Sequence, residues 1–121
     1  MISWGMRILI LVLALLMSPL SLATTSAEGF FKVVNDLPLM EGLRDVPDAA
    51  LLYDKPEGRI VELLDRGQVS ENKVREFYAR TLPQLGWKRR SDVFVREGEV
   101  LSLKILKENG ELAVYLSINP Q

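Results

Sequence analysis

The 121-residue sequence predicts a two-layer α+β domain. The expected architecture is an antiparallel sheet of about five to six short strands with one main α-helix on one face, in a ββαβββ-type order. Three observations carry that reading. Asn109-Gly110 lies between two runs of alternating hydrophobicity, Val100 to Lys107 and Leu112 to Asn119. Val74, Phe77, Tyr78, Thr81, Leu82 and Leu85 recur at spacings of three and four. From Trp87 onward the apolar period changes from 3.6 to 2.

The chain ahead of that domain has a different character. One positive charge, Arg7, precedes the unbroken apolar run from Ile8 to Met17. Ser18 and Pro19 stop a helix there, because proline has no amide hydrogen to donate. Small residues Ser21 and Ala23 follow. This is the three-part pattern of a secretory signal peptide, residues 1–23, with cleavage expected after Ala23 and a second small pair at Thr25 and Ala27. The apolar run is shorter than the ~20 residues that span a bilayer. An uncleaved signal that anchors the chain is the alternative.

Composition narrows the chemistry. There is no cysteine, so lipid attachment through a cysteine, disulfides and thiolate catalysis are all closed. There is no histidine, which removes the commonest metal ligand and the commonest general base near neutral pH. Net charge is −1 with both signs interspersed, which offers no clustered positive footprint for nucleic acid.

Residues 24–45 read as a flexible terminus followed by an irregular arm. Its apolar residues (Phe30, Phe31, Val34, Leu37, Leu39, Met40) are interrupted by Asn35, Asp36, Pro38 and Gly42. The α+β domain then occupies residues 46–121. Val46-Pro-Asp-Ala49 reads as a turn into a strand. Ala50 to Asp54 and Arg59 to Leu64 form a hairpin around Lys55-Pro-Glu-Gly58, since proline fixes φ and glycine allows a positive one.

Ser70 is the expected N-cap of the helix, its hydroxyl accepting from an amide of the first turn. Pro83 disfavours helical geometry at Leu82, so the helix is expected to end or tighten there. Gly86 can take the left-handed C-terminal position, and Trp87 begins the next strand.

Asn109-Gly110 supplies the positive φ that both central positions of a type I′ turn need. A two-residue loop sets Ile105 opposite Val114, Leu103 opposite Leu116 and Leu101 opposite Ile118 on a dry face. Ser102 then meets Ser117, and Lys104 meets Tyr115, on the other. A turn at Glu97-Gly98 brings Phe94 opposite Leu101, with Val93, Val95 and Val100 on the second face; a bulge at Gly98 would reverse this.

The combination "EFYARTLPQLGW", preceded by "VPDA" and a hairpin and followed by short strands, resembles a group of small, largely uncharacterised exported proteins of Gram-negative bacteria. Pro47, Asp48, Phe77, Tyr78, Leu82, Pro83, Gly86 and Trp87 are its fixed points in this sequence, and it covers roughly Asp36 to Pro120. The resemblance implies a one-helix α+β domain outside the inner membrane, in the periplasm, and carries over no catalytic residue.

Candidate chemistry is sparse. Asp45, Asp48, Asp54, Glu57, Glu62 and Asp65 lack ligand spacing and read as a solvated surface. Lys88-Arg89-Arg90 reads as a charged edge strand. Ser70 and Ser102 have no base to activate them. No enzyme activity, metal or cofactor is expected. The second sheet face is too apolar for a purely solvated surface unless the arm folds over it. It marks a periplasmic binding or interaction module, an accessory subunit of an envelope assembly, centred on Val95, Lys104 and Tyr115. Its partner would be an envelope protein or a second copy, with the membrane met only through the signal segment. A small-ligand or lipid carrier, with a pocket between helix and sheet near Phe77, Trp87 and Leu103, is the alternative.

Overall fold

A computed structural model describes residues 29–121; the expected signal peptide and its cleavage point at Ala23 lie outside them. The described chain forms nine strands and one α-helix. They are β1 (Gly29–Phe30), β2 (Pro38–Leu39), β3 (Leu43–Asp45), β4 (Leu51–Lys55), β5 (Gly58–Gly67), α1 (Glu71–Gln84), β6 (Lys88–Arg90), β7 (Val93–Arg96), β8 (Glu99–Glu108) and β9 (Glu111–Pro120). Seven strands make one open antiparallel sheet in the order β3-β5-β9-β8-β7-β6, with β4 also paired to β5. The α+β class is as the sequence predicts. The extra strand is β3, which sits end to end with β4 along one side of β5, separated from it by the 3-10 turn Pro47–Ala49.

The turn chemistry fixes the register. Asn109 and Gly110 have φ of 50° and 82°, so the hairpin closes on the pair Glu108–Glu111. Leu101, Leu103 and Ile105 then face Ile118, Leu116 and Val114 as the alternation requires. At the preceding turn Phe94 faces Leu101 and Val95 faces Val100, without a bulge. Strand β5 lies on the other side of β9, with Val61 opposite Ile118 and Leu63 opposite Leu116.

Helix α1 begins at the expected cap: Ser70 Oγ accepts from the Lys73 amide at 3.2 Å. It docks through Val74, Phe77, Tyr78 and Leu82, all buried, while Leu85 is left exposed. The helix does not end at Leu82 but runs through Pro83 to Gln84. The last turn tightens instead, with the Leu85 amide donating to Leu82 O at 2.9 Å. Two further amides close the end: Gly86 donates to Pro83 O at 3.1 Å and Trp87 to Leu82 O at 3.1 Å. That pair is a Schellman cap, and Gly86 supplies its left-handed residue at φ 95°.

Trp87 is buried, and the Arg96 guanidinium lies 4.4 Å from its ring centroid. Arg96 also donates to Leu85 O at 3.0 Å, so one side chain holds both the helix end and the strand that follows.

The arm is part of the core. Phe31, Val34 and Leu37 are buried in one cluster with Val61, Phe77, Leu101 and Leu116. Tyr78 Oη donates to Pro38 O at 3.0 Å, and the Lys32 amide donates to an Asp45 carboxylate oxygen at 2.9 Å. Asp36, on the arm, lies 3.5 Å from both Arg59 and Arg96, which also pair with Glu99. Helix and arm together therefore cover the dry face. A single helix about 10 Å wide could not cover strands spaced about 4.8 Å apart.

Candidate functional site

Because the arm lies on the helix side, the other face of the sheet has no cover among the described residues. The register puts Val93, Val95, Val100, Ser102, Lys104, Leu106, Ala113 and Tyr115 on it, as the alternation predicts. Strand β5 adds Glu62 and Leu64, and β4 adds Leu51 and Tyr53. The sequence shows the β4–β5 hairpin but not that β5 pairs with β9, so it does not place these four on the face that carries Tyr115. Leu51, Tyr53 and Leu106 are exposed, whereas Leu64 and Ala113 are buried between their neighbours.

At the centre of this face is a groove of about 280 Å³. Its polar lining is Glu62, Ser102, Lys104, Tyr115 and Ser117, over the backbone of Leu63, Leu103 and Leu116. Lys104 and Tyr115 face each other in register, and so do Ser102 and Ser117, whose hydroxyls lie 3.0 Å apart.

One end of the face is closed by ion pairs. Arg66 bonds Glu108 at 2.9 Å and Arg44 bonds Glu111 at 2.7 Å. The Tyr115 phenol donates to Glu108 Oε1 at 3.1 Å, which fixes the ring across the groove. Desolvation, and then the Glu108 carboxylate it bonds, raise the Tyr115 phenol above its ordinary value, so it stays a neutral donor. The chemistry on offer is one cation, one carboxylate and three hydroxyls.

Val95 does not join this centre. It lies opposite Val100, about 13 Å along β8 from Lys104 at ~3.3 Å per residue. It lines a separate groove of about 380 Å³ with Gly86, Lys88, Arg90 and Arg96.

The carrier reading places a pocket near Phe77, Trp87 and Leu103. Phe77 and Trp87 are themselves buried in the core cluster, and Leu103 packs against it. A groove of about 370 Å³ opens instead beside the helix start, between Ser70, Glu71, Ile105 and Leu112. Among the described residues no group of three or more carboxylates could hold a metal ion.

One acid departs from the expected solvated surface. Asp65 is fully buried on the dry face of β5, opposite Val114 and Asp45, with no hydrogen-bond partner for either oxygen among the described residues. Its period-2 position beside Val61 and Leu63 is the signal that could have placed it inside. Desolvation, and secondarily the charge of Asp45, push its carboxyl up to about 7. Burial and the nearby Asp65 raise the Tyr78 phenol well above its ordinary value.

Comparison of the chain with protein-family models, curated proteins and solved structures returned no match.

Proposed function

We propose that the protein is a non-enzymatic periplasmic binding module that engages a protein of the cell envelope through the open face of its sheet. The observation that carries this reading is the placement of the arm. It packs with the helix on the dry face and leaves Leu51, Tyr53, Leu106 and the Lys104–Tyr115 groove uncovered among the described residues. A contiguous half-apolar surface around a few polar groups suits association. The periplasmic location rests on the signal-like leader and on the resemblance to exported proteins. The small number of groups able to move a proton at neutral pH favours binding over turnover.

The test is in-cell crosslinking and pull-down of the protein from the envelope. Tyr115→Ala and Val95→Asp, each checked for folding by circular dichroism, should lose the partner, with Tyr115→Ala losing more. Folded variants that retain an unchanged set of co-purifying proteins would show that the face is not the site. A small molecule retained in native mass spectrometry would favour the carrier instead.

A further inference from the structure

The two edges of the sheet are built differently. Strand β6 presents Lys88, Arg89 and Arg90, all exposed, and repels a strand that approaches it. On the opposite side, β3 is overlaid by the arm through the Lys32–Asp45 bond, but among the described residues β4 pairs with β5 alone. Its sequence is Leu-Leu-Tyr-Asp-Lys, and Leu51, Leu52 and Tyr53 are 39%, 47% and 47% exposed. Such an edge is a template for another strand.

The register shows which backbone groups it offers. The Val46 amide donates to Leu64 O, so even-numbered residues of β5 point toward β3 and β4. Pairing of β5 with β9 is unbroken from Val61 to Gly67, so this parity holds at Glu62. Leu51, Tyr53 and Lys55, opposite Glu62, Ile60 and Gly58, therefore bond inward. The amides and carbonyls of Leu52 and Asp54 point outward, as does the carbonyl of Ala50, whose own amide is bonded to Pro47 O.

We infer that β4 is a dimerisation edge, on which a second copy of this chain pairs its own β4 antiparallel about a two-fold axis at Leu52. A two-fold axis forces antiparallel pairing, and the outward groups allow only a few registers. Centring on Asp54 sets two carboxylates face to face, which is repulsive. The intermediate register sets Leu52 against the partner's Asp54. Centring on Leu52 sets leucine against leucine on one side of the ribbon, and Leu51 against the partner's Tyr53 on the other. It also brings Lys55 beside the partner's Asp48, in the Pro47–Ala49 turn. The register centred on Leu51 also pairs apolar residues, but it sets Leu52 against the partner's Ala50, whose amide is bonded to Pro47 O, and so makes fewer ladder bonds than the register centred on Leu52. Leu51 and Tyr53 lie on the open face, so pairing joins the open faces of two sheets into one surface. The inference does not depend on that face having a separate partner.

Sedimentation of the full chain from about 1 μM to about 1 mM tests the pairing over the range in which weak dimers dissociate. The expected result is a reversible monomer–dimer equilibrium. Leu52→Pro deletes an outward amide and no bond to β5, so it should raise the dissociation constant about 30-fold or more. If that variant does not fold, Leu52→Lys places a charge at the axis to the same effect. The chain has no cysteine of its own, so Leu52→Cys gives a single thiol, about 5.5 Å from its symmetry mate between Cα atoms and within disulfide reach. Mild oxidation should crosslink Leu52→Cys and leave Arg90→Cys, on the far edge, uncrosslinked. A monomer throughout the range, equal crosslinking at both edges, or an undiminished dimer in a folded Leu52 variant would overturn the inference. So would a monomer that takes up only foreign peptides along β4.

Discussion

Replacing Asp65 by asparagine measures what a buried, unpartnered carboxylate costs this fold. Asp65 has no solvent exposure, and neither oxygen has a hydrogen-bond partner among the described residues. Desolvation, with a contribution from Asp45, raises its carboxyl from the ordinary 3.8 to about 7. Between those two pH values the folded protein holds a proton that the unfolded chain releases. The favourable contribution of this group is therefore complete below pH ~4, and it is lost as the pH rises toward 7. Each pH unit of separation is worth 1.36 kcal/mol, so the loss is about 4 kcal/mol between pH 4 and pH 8. For a domain of this size, whose whole stability is on the order of 5–15 kcal/mol, that is a large fraction. The substituted amide is nearly isosteric with the carboxyl and does not titrate. Urea unfolding of both proteins across that pH range, followed by tryptophan fluorescence, gives the difference in stability at each pH. Taking the difference cancels the titrations of groups not coupled to Asp65. The Asp65→Asn variant should gain on the wild type by up to ~1.4 kcal/mol per pH unit and level off above pH 7. A pH-independent offset added to that slope would report only how the amide packs. A difference that stays flat from pH 4 to pH 8 would refute the reasoning.

Two further substitutions test the joint at the ends of the helix. Ser70→Ala removes the hydroxyl that accepts from the Lys73 amide and should lower stability by about 1 kcal/mol in urea unfolding, with Ser70→Asp restoring most of it. Arg96→Met removes the bond to Leu85 O and the charge stacked on Trp87, for a loss of about 2 kcal/mol. Arg96→Lys should recover less than half of that, because an ammonium cannot both stack and reach the carbonyl.

Local chemistry made the second half of the chain legible. Asn109-Gly110 admits one loop length, and with it every pair from Glu108–Glu111 to Leu101–Ile118 is fixed. Ser70 and Gly86 marked the helix ends for reasons that involve only their near neighbours. Pro83 did not end the helix. Its missing amide costs a single bond near the C-terminus, and the Schellman bonds from Gly86 and Trp87 secure the turn that follows. What escaped the sequence was long-range. No local signal says that β5 pairs with β9, that the arm lies with the helix, or that β3 extends the edge begun by β4. Asp65 is a mixed case: its period-2 position beside Val61 and Leu63 is local, but only the pairing of β5 with β9 makes that strand an inner one and buries the carboxyl. The Lys104–Tyr115 pair could be placed, since it depends on the hairpin alone. Glu62, on the opposite wall of the groove, could not.

The division of the sheet into two faces also bears on why the open one is apolar. Strand β9 sends Leu112, Val114, Leu116 and Ile118 into the core, and Ala113, Tyr115 and Ser117 to the other side. With a period of 2, the second set is free to change without disturbing the first. Stability is therefore supplied by the helix, the arm and the dry face, and none of these requires Leu51, Tyr53, Leu106 or Val95 to be apolar. Polar residues at those sites would leave the core intact and make the protein more soluble. The same logic applies along the edges, where Lys88-Arg89-Arg90 shows that this chain can guard a strand with charge, and Leu51-Leu52-Tyr53 leaves the other unguarded. Apolar side chains that the fold does not need, on one face and at the adjoining edge, are what the proposed association would use. The open face and β4 meet at Leu51 and Tyr53, so the two surfaces should be tested with separate substitutions. Lys104 and Tyr115 report on the face, and Leu52, whose side chain points away from it, reports on the edge alone.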